Sequence, residues 1–268
     1  MAAKRKGNIM EEMTVKDMID ALTETSTAIL VCGGTEQHGY HLPLSTDYIS
    51  VYAVGKEVSR QTRCLLLPPL CYSYSGGKLP GTTDISPATT TLVVTEIGLS
   101  IAEQGVRNVV LLVGHCGTEH LHAVREAGYR IMERAKGVTA AFAPVLSLSK
   151  TWIELLAGGG EHAGEGETSF MLYTHPHLVR NRRPYDTAKT RKPRPPEKPK
   201  APAFLVKDFI LTKRPASKRE APYVYGVPND GALRASRKFG KVLFDEMAGT
   251  LVKLVKSMER RRTTKRKR

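Results

Sequence analysis

Four short apolar runs punctuate the 268-residue chain: Ala28–Cys32, Cys64–Leu67, Asn108–Val113 and Thr139–Ala143. None shows the polar–apolar alternation of a half-solvated strand, so each reads as a strand buried on both faces. Gly33-Gly34 closes the first, Pro68-Pro69 the second and Gly114-His115 the third. Segments with helical character separate them. Thr14-Val-Lys-Asp17 has the form of a capping box and predicts a helix to about Leu22. Thr46–Gln61 carries Ile49, Ala53, Val54 and Val58 on one side. Further helices are expected over Thr89–Gln104, with Gly105 just past the end, over Thr118–Ala135 and Glu165–Tyr173, and over about Gly231–Met258 with an interruption at Gly240. Buried strands alternating with helices predict an α/β fold in which a mainly parallel sheet is sandwiched between helices, and in such folds ligands gather beyond the carboxyl ends of the strands.

The formal net charge of +15 invites a nucleic-acid reading, but its distribution argues against one for the body of the protein. Residues 180–220 hold 14 Lys/Arg against 4 Asp/Glu, and residues 256–268 hold 8 against 1, which leaves the remainder slightly negative. The first segment is also proline-rich, from Pro184 to Pro215, so it cannot be continuous helix or central strand. It is expected to be an excursion, with a short strand at Ala203–Leu211. Residues 259–268 read as a solvated basic tail. Residues 1–258 are thus expected to form one domain. No RNP-like aromatic pattern or zinc finger sharpens a nucleic-acid function. The longest apolar runs fall far short of the roughly 20 residues that span a membrane. Asn8–Asp17 brings in polar and acidic residues where a secretory h-region would be, and Cys32, Cys64, Cys71 and Cys116 are too few for a disulfide scaffold, so a cytoplasmic protein is expected.

Three polar clusters follow predicted strands or open predicted helices. The first is Glu36-Gln-His38-Gly-Tyr-His41-Leu-Pro-Leu-Ser-Thr-Asp47. Glu36 and His38 point to one side of an extended backbone, and Asp47 opens the next helix. A carboxylate, an imidazole and a second, bridging carboxylate suit a divalent ion such as Zn, Mn or Fe; equally, this is what a polar turn with a helix-capping acid looks like. The second cluster, Gly114-His115-Cys116-Gly117-Thr118, puts an imidazole at a strand end among residues small enough for close approach. The third, Glu161-His162-Ala-Gly-Glu165-Gly-Glu167-Thr-Ser169, opens a helix, where the dipole favours acids with or without a metal. Together the three supply ligands for two ions, with a histidine to spare. A Cys116 nucleophile is disfavoured, because adjacent side chains rarely reach each other. His120 and His122 lie two apart on a helix and face different ways.

These motifs, together with Leu79-Pro80-Gly81-Thr82 and Tyr225-Gly-Val-Pro-Asn-Asp-Gly231, resemble in order and spacing those of the creatininase (creatinine amidohydrolase) family. The resemblance implies a three-layer α/β/α sandwich carrying two divalent metal ions. By matched position, Glu36, His38, Asp47 and His115 would be ligands, with Asp47 bridging, and His162 would be the catalytic histidine. In creatininase proper a further ligand, a glutamate, lies two residues after the strand-end histidine. Gly117 stands there in this chain, so Glu167, or second to it Glu165, is expected to supply the fifth ligand. Gly158-Gly159-Gly160 replaces the Trp-Asp pair that walls the creatininase substrate. The resemblance further implies a small-molecule substrate and a homo-oligomer, hexameric in many relatives.

The function expected is hydrolysis of a small carbonyl compound, favouring the C–N bond of a cyclic amide or formamide, by water that the ions make reactive. His162 would move a proton to the leaving group. Two alternatives accompany this expectation: C–C cleavage of a cyclic diketone such as a keto-inositol, and a nucleic-acid or partner-binding role for the basic segments.

Overall fold

A computed structural model describes residues 6–76, 79–157, 162–180, 209–212 and 231–266. Among the described residues five strands form one sheet: β1 (Asn8–Ile9), β2 (Thr27–Cys32), β3 (Leu65–Leu66), β4 (Asn108–Val113) and β5 (Thr139–Pro144), in the order β1-β3-β2-β4-β5 with every pair parallel. The expected mainly parallel α/β architecture is therefore the one observed. All six residues of β2 and of β4 are buried, which accounts for their unbroken apolar character. α2 (Thr46–Thr62) links β2 to β3, α3 (Pro87–Glu103) links β3 to β4, and α4 (Thr118–Arg134) links β4 to β5. Right-handed crossovers set α2 on one face and α3 with α4 on the other. α3 packs on α4, while α8 (Arg237–Arg266) packs on α2 and on α6 (Glu165–Thr174). The result is three layers.

Local chemistry explains the boundaries. In α1 (Val15–Glu24) the capping box is complete: the Asp17 N–H donates to Thr14 Oγ1 and the Thr14 N–H donates to Asp17 Oδ2. α3 begins earlier than expected because Ser86 caps it and Pro87 occupies its first turn. Past its end, Gly105 takes φ +109°, as the sequence suggested. β3 is shorter than the apolar run because Pro68 and Pro69 have no N–H to donate; pairing resumes when the Leu70 N–H donates to Val31 O, 2.8 Å away. β1 escaped notice because two residues carry no periodicity.

The C-terminal helix corrects the expectation of an interruption at Gly240. A short α7 (Gly231–Arg234) precedes α8, the break lies at Ala235-Ser236, and Gly240 is inside the continuous helix. A Cβ on Gly240 would fall 1.8 Å from Ser169 O, so this glycine exists to let α8 close on α6. Glu259 then ties α8 to the start of β2, accepting hydrogen bonds from Thr25 Oγ1, Ser26 N and Thr27 Oγ1 at 2.6–3.0 Å.

Most of the proline-rich segment, the last two residues of the basic tail and most of the Tyr225–Gly231 stretch lie outside the described residues, and α8 runs past the expected end at Met258 through the rest of the tail to Arg266. The end of the expected Ala203–Leu211 strand is described. Ile210 bridges Ala141 in antiparallel fashion, and the Phe142 N–H donates to Phe209 O at 2.7 Å, covering the β5 edge.

Candidate metal centre

β2 and β4 are neighbours whose carboxyl ends are level, with Cys32 opposite Val113. The chain leaves β2 toward β3 on one side and leaves β4 toward β5 on the other. Their ends thus form the crevice at which strand order reverses, the place where open α/β sheets bind ligands. Two of the sequence clusters exit into it. Glycine lets them meet: a Cβ on Gly33 would lie 2.6 Å from Tyr48 Cβ, and one on Gly114 would lie 1.9 Å from Asp47 O. The first turn of α2 therefore rests directly on the two strand ends, and Asp47 is held between the loops that carry Glu36, His38 and His115.

Asp47 divides its carboxylate. Its Oδ1 lies 3.0 Å from His38 Nε2 and its Oδ2 lies 3.1 Å from His115 Nδ1. Glu36 Oε2 is 3.0 Å from the same His115 nitrogen, and Glu167 Oε2 is 3.7 Å from His38 Nε2. Two trios result, Glu36/Asp47/His115 and His38/Asp47/Glu167, sharing Asp47. Metal–ligand bonds of about 2.0–2.2 Å at tetrahedral angles put ligand atoms roughly 3.3–3.6 Å apart. The observed 3.0–3.7 Å lies around that range, the shorter separations being hydrogen bonds that an ion would replace.

The donor set demands positive charge as well. His38 Nδ1 lies 3.1 Å from Glu36 O, which only accepts; with the ring proton there, Nε2 presents a lone pair to two carboxylates. A proton or a metal ion must come between them. Without metal the proton serves. Burial disfavours a charged His38, but Asp47, Glu167 and Glu36 outweigh burial and lift its pKa to about 10. His115 rises well above its usual value against the same burial, through its hydrogen bonds to Asp47 and Glu36. Burial pulls Asp47 upward, yet His38 and His115 hold its carboxyl well below the usual range. Metal binding would displace these protons.

The third cluster enters from α6. The Ala163 N–H donates to Glu167 Oε2 at 2.5 Å, which turns that carboxylate back over the start of its own helix and toward His38. Ala163 takes φ +52°, an uncommon left-handed conformation for a residue with a side chain. Glu165, the second choice for the fifth ligand, is directed elsewhere: its Oε2 pairs with Arg234 Nε at 2.9 Å. His162 is buried, with its ring centroid 4.6 Å from that of His38. Burial and the neighbouring His38 lower its pKa to about 4, leaving a neutral imidazole at pH 7.

Sequence reasoning passed over Gln37. His162 Nε2 lies 2.9 Å from Gln37 O and 2.8 Å from Gln37 Nε2. The Gln37 N–H in turn donates to Thr82 Oγ1, which gives the Leu79–Thr82 motif a task. Only the fold reveals this contact, since residues 37 and 162 are far apart in sequence. His120 is buried beside His115, with ring centroids 5.3 Å apart, and burial together with His115 lowers its pKa to about 3. His41 turns away to Thr168, with 2.9 Å between His41 Nε2 and Thr168 Oγ1. Burial pushes the Cys116 thiol far up, which removes it as a nucleophile. A small cavity behind Asp47 and Glu167 is lined by Thr46, Ser50, Trp152 and Phe170. Gly158–Gly160 and Glu161 lie outside the described residues.

The sequence profile described as creatininase (creatinine amidohydrolase) matches residues 11–255. The chain belongs to the creatininase family. Among curated relatives of this creatininase-family chain, creatinine amidohydrolase of Pseudomonas putida is 31% identical over 169 residues, 56% of this chain and 65% of that protein. The mycofactocin precursor peptide peptidase of Mycobacterium ulcerans (strain Agy99) is 36% identical over 170 residues, 59% of this chain and 62% of that protein. The chain thus aligns with less than two thirds of the length of either. The 3-dehydro-scyllo-inosose hydrolase of Thermotoga maritima is 24% identical over 197 residues, 68% of this chain and 60% of that protein. Among solved structures, one described as "Creatininase Mn" superposes with a TM-score of 0.71 at 22% identity, covering 95% of this chain and 99% of that one, which shows a shared fold.

Proposed function

We propose that this chain is a divalent-metal-dependent hydrolase that directs water at the carbonyl of a small molecule, with a C–N bond as the bond broken. The observation that carries the reading is the division of the Asp47 carboxylate between two ligand trios, with Oδ1 facing His38 and Oδ2 facing His115. Glu36, Asp47 and His115 would hold one ion, and His38, Asp47 and Glu167 the other. A pair of ions held in this way supplies Lewis acidity and lowers the pKa of water toward neutrality.

The remaining steps belong to the protein. Asp47 fixes the spacing of the two seats because α2 is packed against the Gly114 backbone. Buried His162 sits beside His38, with ring centroids 4.6 Å apart, so it would accept a proton at a ring nitrogen as water attacks and return that proton to the leaving nitrogen, a contribution of roughly 10²–10⁴-fold. Gln37 holds the His162 ring in register for both transfers. Zn, Mn and Fe all match this mixed imidazole–carboxylate donor set. The relatives named for amide and peptide hydrolysis support a C–N bond.

A second reading, C–C cleavage of a cyclic diketone such as a keto-inositol, is favoured by the Thermotoga relative, because the same activated water serves both reactions. We further read residues 1–258 as one hydrolase domain. It would work in the cytoplasm, where free thiols such as Cys71 stay reduced, and as a homo-oligomer, hexameric by family resemblance.

Elemental analysis of the purified protein should find about two equivalents of Zn, Mn or Fe. Asp47→Ala should release them. His162→Ala should keep them and lose turnover on the active member of a panel of lactams, formamides, short peptides and keto-inositols. Full activity in a metal-free preparation would overturn the proposal.

A further inference from the structure

The two trios that share Asp47 leave one arrangement unused. Glu36, His38 and His162 each offer one ligand atom, and these atoms all lie within 4.8 Å of one another, among side chains that are all buried. The His38 and His162 rings are 4.6 Å apart and tilted by 44°, close enough for a nitrogen of each to reach one ion. Glu36 has two carboxylate oxygens and presents Oε2 to His115. His38 is common to this trio and to the trio with Asp47 and Glu167.

We propose that the ion held through His38 has two mutually exclusive seats. In the first its partners are Asp47 and Glu167. In the second they are Glu36 and His162, and the imidazole that would otherwise move protons becomes a ligand. The exchange replaces one carboxylate by an imidazole and passes the bridging role from Asp47 to Glu36. The second seat therefore favours metals that prefer nitrogen, such as Zn(II) or Co(II), over Mn(II), which prefers oxygen. A zinc-loaded enzyme would spend part of its time with His162 occupied and would turn over more slowly than a manganese-loaded one. The proposal rests on the two-ion reading above.

Removing Glu167 tests it, with metal content as the readout. Wild type should bind about two equivalents of either Zn(II) or Mn(II). Glu167→Ala should still bind about two of Zn(II) but only about one of Mn(II), and the double variant Glu167→Ala/His162→Ala should fall to about one of Zn(II). X-ray absorption on the zinc-loaded single variant should show a rise in mean imidazole count from about one per ion to about one and a half. Glu167→Gln, which keeps an acceptor for the Ala163 N–H, provides a second route should the alanine variant fold poorly. A single variant that holds only one Zn(II), or a double variant that still holds two, would overturn the proposal and leave the two-ion reading intact. Wild type that binds fewer than two ions would strike the two-ion reading itself.

Discussion

Gly114→Ala is the sharpest probe of how the fold builds the site, because it replaces none of the proposed ligands and acts on Asp47 through its backbone alone. A Cβ added there would lie 1.9 Å from Asp47 O and 2.9 Å from Asp47 C, whereas ordinary contact begins at 3.4 Å. The obstacle is backbone, so no rotamer change relieves it. The first turn of α2 and the end of β4 would have to separate by about 1.5 Å, while working constellations tolerate roughly 0.5 Å. The displaced residue is the one whose carboxylate is shared. Both trios should lose their spacing together, with activity falling about 10²-fold or more and stability by about 1–3 kcal/mol. The assay pairs metal content with thermal melting and turnover on whichever substrate the panel identifies. Gly249→Ala serves as the control: it lies within α8 with nothing within 4 Å of its added Cβ, and it should be neutral or stabilising by about 1 kcal/mol. A Gly114→Ala protein with two ions, normal turnover and an unchanged melting temperature would refute the account of Asp47 being positioned by backbone contact.

Other consequences are open to measurement. Gln37→Ala should keep both ions but reduce kcat by about 10-fold or more, with KM little changed, because it frees the His162 ring; an unchanged kcat would exclude a positioning role. Ala163→Gly should leave the melting temperature unchanged or raised, since φ +52° suits glycine, whereas Ala163→Val should lower stability by about 1–3 kcal/mol; the reverse order would contradict the backbone assignment. Burial pulls the Glu259 pKa upward, but hydrogen bonds from Thr27, Ser26 and Thr25 outweigh it and hold the folded pKa below its ordinary value. Its contribution to stability is therefore fully present above the unfolded pKa of about 4.3 and is lost as pH falls through the lower folded value. Glu259→Gln should flatten the acid limb of a melting-temperature profile, and an identical acid limb would rule the tether out. Chelation followed by Zn(II) or Mn(II) addition should remove and restore activity, and a chelated protein should melt at a lower temperature in proportion to the metal affinity lost.

The order of strands and helices was written in local chemistry. Ala28–Cys32 and Asn108–Val113 are apolar throughout or nearly so because both faces of a central parallel strand are buried, and Thr14 with Asp17 marks a helix start through hydrogen bonds that span three residues. Such signals depend on neighbours along the chain, so they survive without a fold. The residue types at Glu36, His38, Asp47, His115, His162 and Glu167 were equally legible as a donor set. What tertiary structure decided was their meeting. The reversal of strand order between β2 and β4 brings the loops carrying residues 36–47 and 114–117 to one crevice. Packing of α6 and α8 through Gly240 brings residues 162–167 to the same place. Sequence alone left Glu165 and Glu167 as alternatives, because both open the same helix. The fold separated them by giving one to Arg234 and turning the other toward His38, since residues two apart on a helix face different neighbours, and those neighbours exist only once the chain has folded.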